Sequence, residues 1–136
     1  MIKTKRVALS WNQEFKDSVA DIRYALRGAD EKEQSNGELF MLCLGIGFKW
    51  KFKVATPPRK SDAVRLSYLK EKDISVMRAI AISETGRADV VTNEDDVYDI
   101  VEQYAAGGLA LIAKRLSDGD DIKQWLVAEI FTSFEP

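Results

Sequence analysis

Residues 93–116 read NEDDVYDIVEQYAAGGLALIAKRL. Four apolar side chains in this stretch follow the spacing of one helix face, and they are Val97, Ile100, Val101 and Tyr104. Such a face is stable only if the rest of the chain covers it. Asn93 is a suitable N-cap, and the three acidic residues after it suit the positive end of a helix dipole. The stretch therefore predicts a core helix that begins at Asn93.

A glycine pair, Gly107–Gly108, lies in the middle of this stretch. Glycine readily adopts the left-handed conformation that ends a helix, so the pattern predicts one helix ending at Gly107 and a second one carrying Leu109, Ile112 and Leu116. Small residues also let another backbone approach closely. We favour close packing here over the other interpretation, in which N–H groups after the pair bind a phosphate.

Length and composition indicate one domain. A chain of 136 residues can bury about two-thirds of its unfolded surface, so we expect a single helical domain over residues 1–136. No stretch reaches the roughly 18 apolar residues of a membrane span, and we expect a cytoplasmic protein without membrane contact. The net charge of −2 is unevenly distributed: residues 1–61 carry +5 and residues 62–136 carry −7.

Helix-start and helix-stop signals elsewhere predict about five helices and hence a mainly α fold. The predicted N-caps are Ser10 or Asn12, Ser35, Asp73, and Asp120 or Asp121. Ser35 and Glu38 together form a capping box. Gly28 and Gly86 are predicted to end the first and third of these helices.

The segment Phe48–Val54, FKWKFKV, changes the period from helical to alternating. Alternation predicts a strand with its aromatic residues on a buried side and Lys49, Lys51 and Lys53 together on the opposite, solvated side. Residues 64–69, VRLSYL, alternate again and are the predicted partner strand. We therefore expect a small β ribbon next to the helices.

The sequence lacks the residue types that several kinds of catalysis need. It contains no histidine, which excludes Ser–His–Asp and Cys–His arrangements, and with one cysteine it cannot form an ordinary zinc site or an intramolecular disulfide. That cysteine, Cys43, lies in an apolar run and is predicted to be a core residue. Acidic residues cluster in a pattern more typical of a solvated helix face than of a metal site, at Asp95, Asp96, Asp99 and Glu102. We predict a protein that is not an enzyme and has no cofactor or metal.

Three segments carry a family resemblance: GELFMLCLGIGFKW at 37–50, ISVMRAIAISETG at 74–86 and IVEQYAAGGLALI at 100–112. In order and spacing they resemble small accessory proteins encoded beside bacterial DNA-phosphorothioation genes, the Dnd-type sulfur-modification and restriction clusters. The family pattern has a glycine–aromatic pair, here Gly47–Phe48, and a "YAnGGL" element in which Ala106 replaces the more usual asparagine. The resemblance brings no established catalytic residues.

The resemblance implies participation in a phosphorothioation-type antiphage defence system. Our preferred hypothesis is a non-enzymatic accessory subunit that docks on a larger protein component of such a system. The alternative is a small nucleic-acid-binding regulator that uses the basic segment 49–60. A third hypothesis, an enzyme that uses acidic residues and a divalent metal, ranks last.

The residues predicted to contact a partner or DNA are Lys49, Lys51, Lys53, Arg59 and Lys60. Phosphates could neutralise these five cations, and such binding would fall steeply with salt. The net negative chain and the predicted burial of the aromatic residues oppose a DNA-binding role. We therefore expect docking on an acidic protein face, and a DNA affinity that is weak, independent of sequence and lost near physiological salt.

Overall fold

The computed structural model describes residues 3–12, 16–27, 35–55 and 60–132. Within these ranges the chain forms five α-helices and two strands, in the order β1 (Ala8–Asn12), α1 (Lys16–Leu26), α2 (Asn36–Lys49), β2 (Lys60–Arg65), α3 (Glu71–Thr85), α4 (Glu94–Ser117) and α5 (Ile122–Thr132). Short 3-10 helices cover Leu66–Tyr68 and Ala88–Thr92. The mainly α fold with about five helices and a small β ribbon is confirmed.

Helix α4 is one uninterrupted helix of 24 residues. It continues through Gly107–Gly108, and the described glycines with positive φ are Gly86 and Gly119 instead. The prediction of a helix end at Gly107 is therefore wrong, and the N–H groups that follow it lie inside a helix, where they cannot cradle a phosphate. The apolar face of α4 is buried as predicted, and the Asn93 side chain caps the helix by accepting a hydrogen bond from the Asp95 N–H.

The glycine pair serves a close crossing between α4 and α2. A Cβ on Gly108 would overlap the carbonyl oxygen of Cys43, and a Cβ on Gly47 would overlap that of Tyr104. At these points the two backbones are in direct contact, and only a hydrogen atom fits between them. The predicted close packing is confirmed, and α2 is the element that packs there. Cys43 itself is fully buried, as expected, and burial raises the pKa of its thiol to about 12.

The β ribbon pairs β1 with β2 in antiparallel fashion, so the prediction that residues 48–54 pair with 64–69 is wrong. Leu9 lies opposite Val64, and the register shifts between Leu9 and Ser10. The inward side chains of β1 are buried, and the Trp11 ring packs on Phe40 with centroids 5.8 Å apart. The alternation of Leu9 and Trp11 could have indicated this strand, but β1 was not predicted.

Several predicted helix ends are confirmed. Ser35 and Glu38 form the capping box, with N···O distances of 3.1 and 3.2 Å. Gly86 follows α3 with a φ of 68°, and the Asp121 side chain accepts a hydrogen bond from the first turn of α5. The predicted stop at Gly28 lies outside the described residues.

Two predicted N-caps are wrong. Ser10 and Asn12 belong to β1, and α1 begins later, at Lys16. Asp73 is the third residue of α3 instead of its cap. Its carboxylate accepts a hydrogen bond from the backbone N–H of Lys70 at 3.0 Å, which is the back-reaching half of a capping box.

Alanine at Gly108 should lower the free energy of unfolding by about 2–3 kcal/mol, because the added methyl group meets a backbone carbonyl that cannot move aside cheaply. Gly45→Ala is the matched control on α2, since its Cβ would meet nothing within 4 Å. This control should stabilise the fold by about 0.5–1 kcal/mol through the better helix propensity of alanine. Urea denaturation of both variants measures the difference, and equal stabilities would contradict the close crossing.

Candidate interaction surface

Helix α2 ends in a tight turn inside the predicted strand 48–54. The N–H of Lys51 donates to the carbonyl of Phe48 at 3.1 Å, and the N–H of Phe52 donates to the carbonyl of Gly47 at 2.9 Å. Lys51 has a φ of 52°, in the left-handed region. These features define a Schellman motif, in which the left-handed residue reverses the chain at a helix end. The predicted strand is therefore wrong, because its alternation arises from a helix end followed by this turn.

Lysine is an unusual residue at this position of the motif, where glycine is the common choice. A left-handed conformation costs a residue with a side chain roughly 1–2 kcal/mol. The Lys51 ammonium lies 3.4 Å from the centroid of the Phe48 ring, a cation–π contact that returns about 0.5–1 kcal/mol. The contact holds the ammonium group over one face of the turn.

The turn exposes the aromatic residues that alternation predicted to be buried. Trp50 is 53% exposed and Phe52 is 42% exposed. The indole N–H of Trp50 donates to a carboxylate oxygen of Glu129 at 3.1 Å, which fixes the edge of the ring. We call the exposed side chains of Trp50, Lys51 and Phe52 the aromatic–lysine surface.

The three lysines of the segment do not share one face. Lys49 Nζ lies 2.7 Å from a carboxylate oxygen of Glu129 on α5, and Lys53 Nζ lies 2.5 Å from a carboxylate oxygen of Glu84 on α3. Lys51, between them, forms no ion pair with any residue that the structure describes; its ammonium lies over the Phe48 ring, and its charge contributes to lowering the pKa of Glu84. The structure thus brings the three lysines into one short segment but gives each a different partner.

The other two predicted contact residues add little to this geometry. Arg59 lies outside the described residues, and Lys60 is the first residue of β2, whose side chain also lies outside the description. The aromatic–lysine surface is therefore built from residues 50–52 alone. Sequence reasoning named the central lysine of this surface but assigned both of its aromatic residues to the core.

Tyr104 packs against Phe48 at the start of the turn. Its side chain is 2% exposed, its hydroxyl donates to the Glu84 carboxylate, and its ring meets the Phe48 ring edge-on with centroids 5.4 Å apart. Burial and the neighbouring carboxylate raise the pKa of Tyr104 to about 12. Hydrogen bonds from Lys53 and from Tyr104 lower the pKa of Glu84. Tyr104 therefore ties α3, α4 and the end of α2 together.

The acidic cluster on α4 binds the N-terminal segment. Glu102 is 2% exposed, and one of its oxygens lies 3.1 Å from Arg6 Nη1 while the other accepts the Ser10 N–H at 2.6 Å. Arg6 also pairs with Asp95 and Asp99. The predicted solvated face is therefore wrong for Glu102, and no local pattern could have indicated a partner 96 residues away. Among the described residues, no cluster of three or more possible metal ligands occurs.

The three segments that carry the family resemblance meet around Tyr104. Gly47 and Phe48 come from the first segment, Glu84 comes from the second, and Tyr104 with the glycine pair comes from the third. These residues pack the helices and shape the turn. The resemblance therefore corresponds to one connected region of the fold.

Fold and surface together define a small, mainly helical protein that displays an aromatic–lysine surface at the end of its central helix pair. No helix among the described residues is both long and apolar enough to cross a bilayer. The sequence profile of the family described as DNA sulphur modification system-associated protein 4 matches residues 16–135, and the chain belongs to this family. Comparison with curated proteins and with solved structures gives no match.

Tyr104→Ala should lower the free energy of unfolding by about 3 kcal/mol or more, because it empties a buried aromatic site. Tyr104→Phe keeps the ring and loses only the hydrogen bond to Glu84, so its loss should be about 1–2 kcal/mol. Thermal and urea denaturation measure both values. An unchanged melting temperature for Tyr104→Ala would contradict the packing described above.

The stabilisation of the fold by the Tyr104 hydroxyl should also depend on pH. The folded protein holds the Tyr104 proton more tightly than the unfolded chain, since the pKa is raised from 10.0 to about 12. Its stabilisation is therefore complete below pH 10 and is lost as the pH approaches 12. Tyr104→Phe should lose less stability than the wild type across this range, and identical pH profiles would argue against the Glu84 hydrogen bond.

Proposed function

We propose that this chain is a non-enzymatic accessory subunit of a phosphorothioation-type antiphage defence system, and that it docks on a larger protein component of that system. Family membership supports the link to DNA sulphur modification. The observation that carries the docking mechanism is the exposed turn of Trp50, Lys51 and Phe52 on a rigid helix end. Aromatic residues, tryptophan above all, dominate the binding energy of many protein interfaces.

The side chains best suited to catalysis are buried or are held by other residues of the fold. The Cys43 thiol is fully buried, and with a pKa of about 12 it remains protonated at neutral pH. Glu102 is held by Arg6 and by the backbone of β1, and the Tyr104 hydroxyl is held by Glu84. These contacts favour a binding role over nucleophilic or acid–base catalysis.

Co-purification from the native host tests this proposal. A tagged chain, expressed with the sulphur-modification genes of the same genome, should recover a larger protein product of that gene cluster in a fixed ratio. The same tag on an unrelated small helical protein is the control. Recovery of none of the cluster's products, with the chain expressed and folded, would contradict the proposal.

Nucleic-acid binding is the second candidate function, because exposed aromatic residues interleaved with lysines are typical of surfaces that stack single-stranded bases. Two carboxylates oppose it. Glu129 and Glu84 lie beside Lys49 and Lys53, and they already neutralise the charges that phosphates would need. We therefore infer at most a weak, sequence-independent affinity for DNA that is lost near physiological salt.

Fluorescence anisotropy with labelled single-stranded and duplex DNA, across a salt series, measures this affinity. The informative variant changes Lys49, Lys51 and Lys53 to glutamate. A charge-matched control changes three exposed lysines elsewhere, namely Lys16, Lys72 and Lys123. Submicromolar binding in about 150 mM salt that only the first variant abolishes, with its helical circular dichroism retained, would favour the nucleic-acid function instead.

A further inference from the structure

We infer that the aromatic–lysine surface is the docking site itself, and that its partner is a protein surface with an apolar cleft and a carboxylate at the edge of that cleft. Trp50 and Phe52 enter the cleft, and the Lys51 ammonium pairs with the carboxylate. This inference rests on the proposed function and adds the location of the site and the chemistry of the partner.

The surface is held rigidly from both sides. Lys49 ties its near side to Glu129 on α5, and Lys53 ties its far side to Glu84 on α3. Just beyond the turn, the N–H of Val54 donates to a carbonyl of α4 at 3.0 Å. The backbone of the turn is thus fixed in the free protein, so binding a partner costs little additional conformational entropy.

Lys51 occupies a left-handed position at which glycine would be less strained, which indicates that its side chain has a function. Helix α4 ends in the same motif, with N–H to carbonyl distances of 3.1 Å from Gly119 to Leu116 and from Asp120 to Arg115. There the left-handed residue is glycine, with a φ of 84°. Among the described residues, Lys51 is the one non-glycine with a positive φ. Backbone strain of this kind is concentrated at functional positions.

The distribution of charge favours a protein partner over a nucleic acid. The lysines on either side of Lys51 are paired with Glu129 and Glu84, so a chain of phosphates crossing the surface would meet two ion pairs that are already neutralised. Of the three lysines, Lys51 is the one without an ion pair to a described residue, and its ammonium matches a single carboxylate on a folded protein better than a chain of phosphates. An apolar cleft around that carboxylate would also exclude water and strengthen the pair.

The two aromatic residues make this surface different from the other exposed rings. Trp50 and Phe52 are the chain neighbours of Lys51, and both of their side chains are exposed. Tyr24 and Tyr68 are more exposed, at 73% and 67%, but no other large exposed hydrophobic residue lies next to them in the sequence. Single exposed rings are ordinary on protein surfaces. Tyr68 therefore serves as a control position.

The test uses the full chain and, as probe, the purified cluster protein that co-purifies with it. Isothermal calorimetry should give at least tenfold weaker binding for Trp50→Ala and for Lys51→Glu. Tyr68→Ala and Lys72→Glu, which alter an exposed ring and an exposed lysine elsewhere, should bind within about twofold of wild type. Lys51→Gly is the sharpest variant, because glycine suits the turn: its melting temperature should not fall, while its affinity should weaken and become less sensitive to salt.

The outcomes separate this inference from the proposed function. Wild-type affinity in Trp50→Ala and Lys51→Glu would overturn the assigned site and leave the docking function standing. The absence of any cluster protein that binds the wild-type chain would overturn both. Variants that keep their affinity for the protein and lose affinity for a single-stranded DNA oligonucleotide would replace the protein partner by a nucleic acid.

Discussion

The direct contact between the backbones of α2 and α4 is the constraint on which the rest of the structure depends. Glycine on both helices allows it: Gly47 lies against the Tyr104 carbonyl and Gly108 against the Cys43 carbonyl. The contact extends past the helix end, because a Cβ on Gly107 would overlap the carbonyl of Phe52. The crossing therefore fixes the turn of the aromatic–lysine surface as well as the core. A change in the distance between the two helices would displace the surface directly.

Ion pairs join segments of this fold that are distant in sequence. The basic first half and the acidic second half of the sequence are joined by long-range pairs, from Arg6 to α4, from Lys49 to α5 and from Lys53 to α3. A pair as exposed as Lys53–Glu84 adds little to stability, whereas loss of Arg6 would take a charge partner from the buried Glu102; all three pairs select one arrangement of the segments they join. Three cations of the basic half, Arg6, Lys49 and Lys53, are thus paired with carboxylates of the acidic half. What remains at the turn is the single positive charge of Lys51.

Local signals predicted much of the fold and little of the surface. The apolar face of α4, its cap at Asn93 and the capping box of α2 follow from side chains within one or two helical turns, and all three are confirmed. The glycine pair was ambiguous, because glycine can either end a helix or admit a neighbouring backbone, and the decision depends on α2, which is distant in sequence. The segment FKWKFKV was misread for the same kind of reason. A helix end followed by a left-handed residue produces the same alternation as a strand, but it leaves Trp50 and Phe52 exposed while Phe48 packs on Tyr104.

The family resemblance and the aromatic–lysine surface are connected through the same packing. The segments that carry the resemblance contribute Gly47, Phe48 and Tyr104, which pack the core and the turn, and the first of these segments ends at the exposed Trp50 of the surface itself. Their effect is to hold Lys51 in a conformation that glycine adopts at the end of α4. A family pattern made mostly of packing residues is therefore compatible with a function at the surface, because these residues fix the backbone that presents the exposed side chains. Under this view the identities of residues 50–52 determine which partner binds. The buried residues that pack against the turn determine the backbone conformation that presents these side chains.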